Sequence, residues 1–275
     1  MEKIEARMDC SILFIGDIVG KAGRLAVKAL IPELMEQHKI DLVIANCENA
    51  AAGRGITPKI AEFLFDCGVN ILTSGNHIWD KREIIPYVDS EPRILRPANY
   101  PGSTPGRGHG VFNDNHGRQV GVINLCGKLF MDSYENPYTS ALKLIEVLKD
   151  ETNIIILDFH AEATSEKIAF GWYLDGKISV LVGTHTHVQT ADERILPNGT
   201  GYITDVGMTG AMDSVIGMDR EKSIKRFLTL MPQRLEPAEE NIWLNGIIID
   251  IHCESGKATG IKRINEPLEQ WNMKL

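Results

Sequence analysis

Cysteine is scarce in this sequence, and its spacing excludes the common uses of the residue. The five cysteines are scattered over 275 residues, and no two of them form a Cys-x-x-Cys pair. A thiolate metal site and a disulfide framework are therefore both disfavoured. A long apolar run is also lacking, so we expect no membrane-spanning helix. Residues 1–7 are polar and lack the apolar core of a signal peptide, which favours a reducing cytoplasm.

Basic residues are outnumbered, which limits the partners that the chain can bind. There are 29 Lys and Arg residues against 37 Asp and Glu residues, a net charge of -8. Strong non-specific binding to nucleic acid needs many basic side chains to displace counterions, so it is not expected. A small phosphoester or nucleotide substrate held through metal stays compatible with this charge. The length suits one large domain or two small ones. We expect a single domain over residues 1–275, with residues 1–9 forming a disordered or tag-like extension.

Three nucleotide- or ester-processing motifs are absent. Residues 16–22 resemble a phosphate-binding P-loop, but the spacing is one residue short and Ala22 stands where Ser or Thr would bind Mg²⁺. No Gly-x-Gly-x-x-Gly opens the helix predicted after Asp17, which disfavours a dinucleotide-binding fold. The Gly-x-Ser-x-Gly elbow of the α/β-hydrolases is not present either.

Five short apolar runs, rich in Val and Ile, predict buried strands over residues 11–16, 41–45, 70–75, 154–159 and 179–183. In open α/β sheets, ligands bind at the carboxyl ends of the strands. Side chains that can bind metal stand just after these runs: Asp17, Glu48, Asn49, Asn76, His160, His185 and His187. We therefore predict one site assembled from five distant segments of the chain.

Helix-like segments alternate with these runs. We predict helices over residues 24–37, 58–65, 80–87, 139–149 and 164–172. Pro32 is expected to kink the first helix or to start a new one, and Thr164 offers an N-cap for the last. The alternation predicts a largely parallel core. Residues 111–125 and 246–264 have instead the pattern of hairpins.

The donor set predicts the kind of metal centre. Carboxylate, amide and imidazole groups suit Mn²⁺, Fe or Zn²⁺ better than soft, copper-type sites do. Seven donors are too many for a single tetrahedral zinc, and they suit two ions about 3.5–4 Å apart that share a carboxylate and a hydroxide. Asp17, Glu48 and one hydroxide would leave a pair of divalent ions net positive by roughly one charge. Such a centre attracts a phosphate group and provides a hydroxide to attack it.

The motifs together resemble those of a known enzyme family. Gly16-Asp17, Gly75-Asn76-His77, His160 and Gly183-Thr184-His185-Thr186-His187 resemble the motifs of the calcineurin-like metallophosphoesterases. The chain departs from the common pattern in three places: Val19 stands where a His is usual, Glu48-Asn49 replaces the second Asp motif, and Thr184 is an insertion. These departures are similar to those of the bacterial YmdB-like cyclic-nucleotide phosphodiesterases. The similarity spans residues 12–264.

The resemblance implies a fold, a metal pair and a role for one histidine. The implied fold is α/β, a four-layer αββα sandwich of two mixed β-sheets flanked by helices. The implied ligands are Asp17, Glu48, Asn49 and His187 for the first ion, and Glu48 as a bridge, Asn76, His160 and His185 for the second. Iron or manganese is favoured over zinc. His77 would contact the phosphate and protonate the leaving group, and Asn49 would also touch the substrate.

The function that follows is that of a dinuclear-metal phosphodiesterase. The expected substrates are 2′,3′-cyclic nucleotides or related RNA-derived phosphoesters, hydrolysed by a metal-bridged hydroxide with His77 as general acid. Two other functions fit the same residues: a phosphomonoesterase or nucleotidase, and a nucleotide-binding regulator in which metal stabilises the shape. We expect a cytoplasmic homo-oligomer in each case.

Three further features have two interpretations each. Arg54, between Gly53 and Gly55, either binds substrate phosphate or belongs to a plain turn. Asp205 either orients a metal-binding histidine or has a structural role. The Pro- and Gly-rich loop over residues 96–110 is either functional or a surface excursion.

Overall fold

The structure is a computed structural model that describes residues 9–132 and 135–268. Most of the predicted N-terminal extension, residues 1–8, lies outside these ranges. Asp9 was placed in that extension, but it begins the first strand and pairs with His252. The expectation of a single domain over residues 1–275 stays a prediction.

The described residues form thirteen strands and six helices. The strands are β1 (Asp9–Ile15), β2 (Asp17–Ile18), β3 (Leu42–Asn46), β4 (Ile71–Thr73), β5 (His109–Asn113), β6 (Gln119–Cys126), β7 (Ile154–His160), β8 (Val180–Thr184), β9 (Arg194–Ile195), β10 (Gly201–Ile203), β11 (Met208–Ala211), β12 (Ile242–His252) and β13 (Ala258–Pro267). The helices are α1 (Gly20–His38), α2 (Pro58–Asp66), α3 (Ile84–Tyr87), α4 (Pro137–Lys149), α5 (Thr164–Leu174) and α6 (Arg220–Thr229).

The strands form two mixed sheets. The first has the order β2-β11-β12-β1-β3-β4, with β13 beside β12. Strands β1, β3 and β4 are parallel, and β12 is antiparallel to β1. The second has the order β5-β6-β7-β8-β10-β9, in which β6, β7, β8 and β10 are parallel. Both predicted hairpins are present, as β5–β6 and β12–β13.

Three apolar clusters separate four layers. Successive residues of a strand point to opposite faces, so Leu13 of β1 packs toward α1 and α2 while Phe14 packs between the sheets. Val182 of β8 reaches the same inter-sheet core from the other side. The outer face of the second sheet packs on α4 and α5, where Leu157 meets Phe170. This αββα sandwich confirms the predicted fold.

All five predicted strands that precede the metal-binding candidates are present, as β1, β3, β4, β7 and β8. Within each sheet these strands run parallel, so their carboxyl ends lie along one edge. The edges of the two sheets lie at the same end of the sandwich, as the 3.0 Å contact between His160, the last residue of β7, and Glu48, just after β3, shows. The topology therefore brings together residues that are more than a hundred positions apart in the chain.

Three helix predictions need correction. Helix α1 begins at Gly20 and runs past Pro32 without a new start, because its buried stripe continues through Ile31 and Leu34 on the sheet. Helix α3 covers only residues 84–87 of the predicted 80–87. Thr164 is not the N-cap of α5: the cap position is Ala163, which has no side-chain cap hydrogen bond.

Candidate metal centre

Three candidate donor atoms converge on a fourth, the Nε2 atom of His160. This atom lies 3.0 Å from Glu48 Oε1, 3.1 Å from Asn76 Oδ1 and 2.9 Å from His185 Nδ1. Two ligand atoms that sit about 2.1 Å from one ion and at right angles are about 3 Å apart. The spacing of the four atoms therefore fits one metal ion.

Gly75 is required for this convergence. A Cβ atom at this position would lie 2.2 Å from His160 Cδ2 and 2.4 Å from Glu48 Oε2, far inside contact distance. Only glycine allows the chain after β4 to approach the imidazole and the carboxylate so closely. The Gly-Asn-His motif thus has a steric basis in this fold.

Asp17 and Asn49 each present a buried oxygen to the same region. Asp17 Oδ2 accepts the backbone N–H of His185 at 3.2 Å, while its Oδ1 has no hydrogen-bond partner among the described residues. The Nδ2 of Asn49 donates to Gly53 O at 3.0 Å, and the Oδ1 of Asn49 is likewise buried without a partner in the described part of the chain. Buried polar atoms without partners are rare in native proteins. A cation between the two would satisfy both oxygens.

His187 is held so that one ring nitrogen stays available. Its Nδ1 lies 2.8 Å from the carbonyl oxygen of Ile216, which fixes Nδ1 as the protonated nitrogen and leaves a lone pair on Nε2. Burial raises the pKa of the nearby Asp17 carboxyl, and the imidazoles of His187 and His160 oppose the rise. His187 therefore lies close to Asp17.

Glu48 and His160 form a buried ion pair when His160 carries a proton. Burial by itself would raise the pKa of Glu48, but the charge and hydrogen bond of His160 lower it to about 2. Burial would lower the pKa of His160, but Glu48, Asp17 and Asp158 raise it to about 9. Burial and the charge of His160 lower the pKa of His185 to about 3. Without a metal, the imidazolium of His160 is the cation that pairs with Glu48.

A buried polar chain orients the His160 ring. Its Nδ1 lies 2.9 Å from Thr184 Oγ1, and that hydroxyl donates to Asp158 Oδ1 at 2.7 Å. Asp158 also accepts from Asn46 Nδ2 at 3.1 Å and Thr73 Oγ1 at 2.5 Å, which ties β3 and β4 to the second sheet. The inserted Thr184 is thus a support for a candidate ligand.

The loop that bears both candidate ligands of the last motif is held from behind by a buried ion pair. His185 and His187 have φ of 98° and 66°, a left-handed backbone that non-glycine residues rarely adopt. Lys167, which is fully buried on α5, donates from Nζ to Thr184 O and Asp205 Oδ2, both at 2.7 Å. Asp205 in turn accepts the Thr186 N–H at 3.1 Å and its hydroxyl at 2.8 Å. The ion pair therefore fixes the backbone between the two histidines.

His77 lies at the open side of the cluster. Its backbone N–H donates to Glu48 Oε2 at 3.0 Å, and its Nδ1 lies 3.1 Å from Asp80 Oδ2. The ring is partly exposed, unlike that of His160. A group in this position can reach both the centre and a molecule arriving from solvent.

The structure thus brings together Asp17, Glu48, Asn49, Asn76, His77, His160, His185 and His187, while their roles stay predictions. Arg54 is exposed, in the turn whose Gly53 carbonyl is bonded to Asn49, so both of its interpretations remain open. In the loop over residues 96–110, the Arg96 guanidinium binds the carbonyls of Pro97, Thr104 and Pro105, which gives that residue a structural role.

The sequence analysis did not predict four residues that contact or support the candidate site residues: Lys167, Asp80, Glu162 and Asp158. Glu162 Oε2 lies 3.1 Å from His185 Nε2. For Lys167 a signal existed, because it lies on the same helical face as the buried Phe170, Gly171 and Leu174 of α5. A lysine on a buried face needs a partner, and that partner is Asp205.

The fold and the site together define a class of protein. A four-layer αββα sandwich that gathers carboxylate, amide and imidazole donors at the carboxyl ends of strands from both sheets is a metallophosphoesterase-type structure. Among residues 9–132 and 135–268, no helix has the length and apolarity needed to cross a bilayer.

Comparison with known proteins defines the family. The model of the family described as YmdB-like protein matches residues 13–264, and the chain belongs to this family. The chain is 51% identical over 253 residues to the 2′,3′-cyclic-nucleotide 2′-phosphodiesterase of Bacillus subtilis, covering 92% of this chain and 96% of that one. The predicted resemblance is confirmed.

Solved structures agree with this assignment. A hypothetical protein from Thermus thermophilus is 38% identical, with a TM-score of 0.87 over 94% of this chain and 99% of that one. The structure of a novel phosphatase from Mycoplasma pneumoniae is 36% identical, with a TM-score of 0.88 over 94% of both chains.

Proposed function

We propose that the chain is a metal-dependent phosphodiesterase that hydrolyses 2′,3′-cyclic nucleotides or related RNA-derived phosphoesters. The observation that carries this proposal is the convergence of three donors on His160 Nε2, together with the buried oxygens of Asp17 and Asn49 that have no hydrogen-bond partner among the described residues. The predicted enzyme class, a phosphoric diester hydrolase, is confirmed by the 51% identical relative.

The donor set fits a metal pair divided as the resemblance implies. Glu48, Asn76, His160 and His185 would hold one ion, to which the distances of about 3 Å from His160 Nε2 to the other three donors are suited. Asp17, Asn49 and His187 would hold the other, with Glu48 as a shared ligand. Oxygen and imidazole donors without thiolate suit iron or manganese.

When bound, the two ions supply Lewis acidity toward the phosphate oxygens and lower the pKa of an attacking water. Residues of the chain hold the proton donor in place and deliver the proton. Asp80 accepts a hydrogen bond from Nδ1 of His77 and so presents Nε2 to the substrate. The phosphorus–oxygen bond to the leaving group breaks as His77 delivers a proton to that oxygen, a contribution of typically 10²–10⁴-fold. Glu48 holds the backbone of His77 in place.

The test compares a cyclic diester with a monoester on protein reconstituted with Mn²⁺. We expect 2′,3′-cyclic AMP to be hydrolysed in preference to 3′-AMP, and metal-free protein to be inactive. His77→Asn should lower the rate by about 10²–10⁴-fold at unchanged metal content. His252→Asn, at the far end of β12, is the matched control and should keep the wild-type rate.

Two outcomes would overturn the proposal. Preference for the monoester would indicate a phosphomonoesterase or nucleotidase. Full activity in metal-free protein would remove the metal from the reaction. If hydrolysis is lost in His77→Asn while a cellular phenotype of the gene stays unchanged, a regulatory, nucleotide-binding role is favoured. Location in the cytoplasm remains a prediction that fractionation of cells can test.

A further inference from the structure

Glu162 lies against the outer side of the His185 ring. Its Oε2 is 3.1 Å from His185 Nε2, while Nδ1 of the same ring lies 2.9 Å from His160 Nε2, among the candidate donors. The side chain of Glu162 is 50% exposed and that of His185 is 20% exposed, so the contact lies at the rim of the buried cluster. The imidazole therefore lies between a carboxylate and the candidate metal centre.

The outer ring nitrogen of each candidate histidine ligand has an acceptor. For His160 the acceptor is a threonine hydroxyl, and for His187 it is a main-chain carbonyl oxygen. A neutral imidazole carries one proton, so an acceptor at the outer nitrogen leaves the lone pair on the inner nitrogen, where a metal ion can take it. Glu162 completes this set, because it is the acceptor at the outer nitrogen of His185.

The backbone just before Glu162 is anchored on both sides of β7. Ala161 N–H donates to the carbonyl oxygen of Thr184 at 3.4 Å, and Gly127 N–H donates to that of His160 at 3.0 Å. A Cβ atom on Gly127 would lie 2.6 Å from Ala161 Cβ, so these two segments are in close approach. Only the side chain of Glu162 is left to be ordered when it contacts the imidazole, which keeps the entropic cost of the contact small.

The exposure of the carboxylate decides how it acts. Solvent and salt screen an exposed charge, so direct attraction between Glu162 and an ion on the far side of the ring contributes little. The hydrogen bond acts on the ring instead, because it fixes which nitrogen carries the proton and which edge of the ring faces the centre. An amide oxygen can accept the same hydrogen bond. Glutamine should therefore be able to replace Glu162, whereas a residue without an acceptor at this point should not.

We propose that Glu162 is a positioning residue that orients His185 for metal binding, and this inference rests on the proposed function. Through His185 it acts on the ion that the proposed function places beside Asn76 and His160. The other ion, beside Asp17, has no ligand that Glu162 contacts among the described residues. Loss of Glu162 should therefore weaken one ion of the pair more than the other.

The test measures Mn²⁺ binding to the metal-free full chain, by calorimetric titration and by electron paramagnetic resonance. We expect the wild type to bind two ions with coupled spins. Glu162→Ala should weaken one of them about 10–100-fold, so that isolated Mn²⁺ replaces the coupled pair when the metal is limiting. Glu162→Asp keeps the charge, but its shorter side chain ends away from Nε2, and it should behave as the alanine variant does. Glu162→Gln should recover most of the lost affinity.

A matched control removes a glutamate elsewhere. Glu254→Ala changes an exposed glutamate between β12 and β13, at the opposite end of the sandwich, and should bind both ions as the wild type does. Because the Glu162 side chain is half-exposed, its variants should fold normally, which thermal unfolding of the metal-free proteins can check.

Three results would overturn the inference while leaving the proposed function in place. The first is Mn²⁺ binding to Glu162→Ala that equals binding to the wild type. The second is a Glu162→Gln variant that binds as weakly as Glu162→Ala, or a Glu162→Asp variant that binds as the wild type does, because the hydrogen bond would then not be the cause. The third is slower hydrolysis with unchanged Mn²⁺ binding, which would assign Glu162 to the substrate. A wild type that binds no Mn²⁺ would instead overturn the proposed function, and this inference with it.

Discussion

The two ends of the β-sandwich each carry a cluster of donors, but among the described residues only the cluster at the amino end forms ion pairs with a permanent cation. The carboxyl-end cluster consists of Glu48, His160 and His185, and the amino-end cluster of Cys10, Asp41 and Asp114. Within each cluster the donor atoms lie within 4.8 Å of one another. Spacing and residue type alone would therefore make both ends candidates for a metal.

Arg118 makes the difference. At the amino end, its guanidinium lies 2.6 Å from Asp114 Oδ2 and 2.8 Å from Asp41 Oδ2, so both carboxylates are already paired with a cation. Burial raises the pKa of Cys10, which keeps its thiol protonated and a poor metal ligand. A cation already occupies the position that a metal would need.

At the carboxyl end, the ionic partners of Asp17 and Glu48 within the described residues are histidines, not Lys or Arg. The positive charge that pairs with Glu48 there is a proton on His160, and it is exchangeable. A buried cluster of donor residues is therefore a stronger candidate for a metal site when no Lys or Arg side chain is paired with its carboxylates.

The largest effect should come from removing a carboxyl-end ligand. His185→Ala or Asp17→Ala should lower metal content and reduce phosphodiester hydrolysis on the order of 10³-fold, the scale of losing a preorganised electrostatic stabiliser. Elemental analysis and rate measurements on the same preparations provide the test. Asp114→Asn is the matched change at the amino end, and this variant should retain the metal content of the wild-type protein. Equal metal loss in Asp114→Asn would break the comparison.

The next largest effect should come from removing the built-in cation. Arg118→Met removes the guanidinium that pairs with the buried carboxylates of Asp41 and Asp114, and should lower the free energy of unfolding by about 3–5 kcal/mol. Denaturant unfolding measures this loss. Metal content and turnover of the folded fraction should stay at wild-type values. A stability equal to that of the wild type would show that the amino-end carboxylates do not depend on Arg118.

A smaller effect is expected from a substitution that loosens the loop bearing His185 and His187. Lys167→Met removes the buried cation that binds Thr184 and Asp205, so His185 and His187 lose their fixed backbone. We expect the affinity for Mn²⁺ to fall about 10–100-fold, as for other supports of metal ligands. Calorimetric titration of folded protein separates this from instability. Lys177→Met, an exposed lysine just beyond α5, is the control and should bind as the wild type does.

The smallest expected effect is a dependence of stability on pH that arises from the proton on His160. Its pKa is raised from 6.5 to about 9, so in metal-free protein the stability it contributes is complete below pH 6.5 and is lost as pH rises through about 9. Glu48, with its pKa lowered to about 2, contributes stability that is present above pH 4.5 and lost only as pH falls through about 2.

Because a metal must displace that proton, its affinity should rise about tenfold for each pH unit between pH 6.5 and about 9. Calorimetry in two buffers of different ionisation enthalpy measures the proton released. An affinity independent of pH in this range, with no proton release, would contradict the assignment of the proton to His160.

The sequence was sufficient for the parts of the site that follow local rules. The five apolar runs predicted their strands, and the donors after them meet because parallel strands end at a common edge. The amino-end pairing of Arg118 with Asp41 could not be predicted, because it joins the β5–β6 hairpin to the start of β3 across two sheets. The same holds for Lys167 and Asp205, whose contact depends on how α5 packs on β8.

The shortest strands could not be predicted from the sequence either. Strands β2 and β9 have two residues each, too few for any periodic pattern. The cap of α5 was mispredicted by one residue, because the helix begins at Thr164 and the cap position is Ala163. The first-turn acid Glu166 accepts the N–H groups of Lys128 and Leu129, a tertiary contact that the local sequence does not indicate.

We propose that a metal pair supplies the positive charge that the residues at the carboxyl end do not supply. The most direct measurement is anomalous X-ray scattering from a crystal grown with Mn²⁺. We expect two peaks about 3.5–4 Å apart between Asp17, Glu48 and His160, and none beside Arg118. Peaks at the amino end, or a carboxyl end without ions at saturating Mn²⁺, would contradict the account.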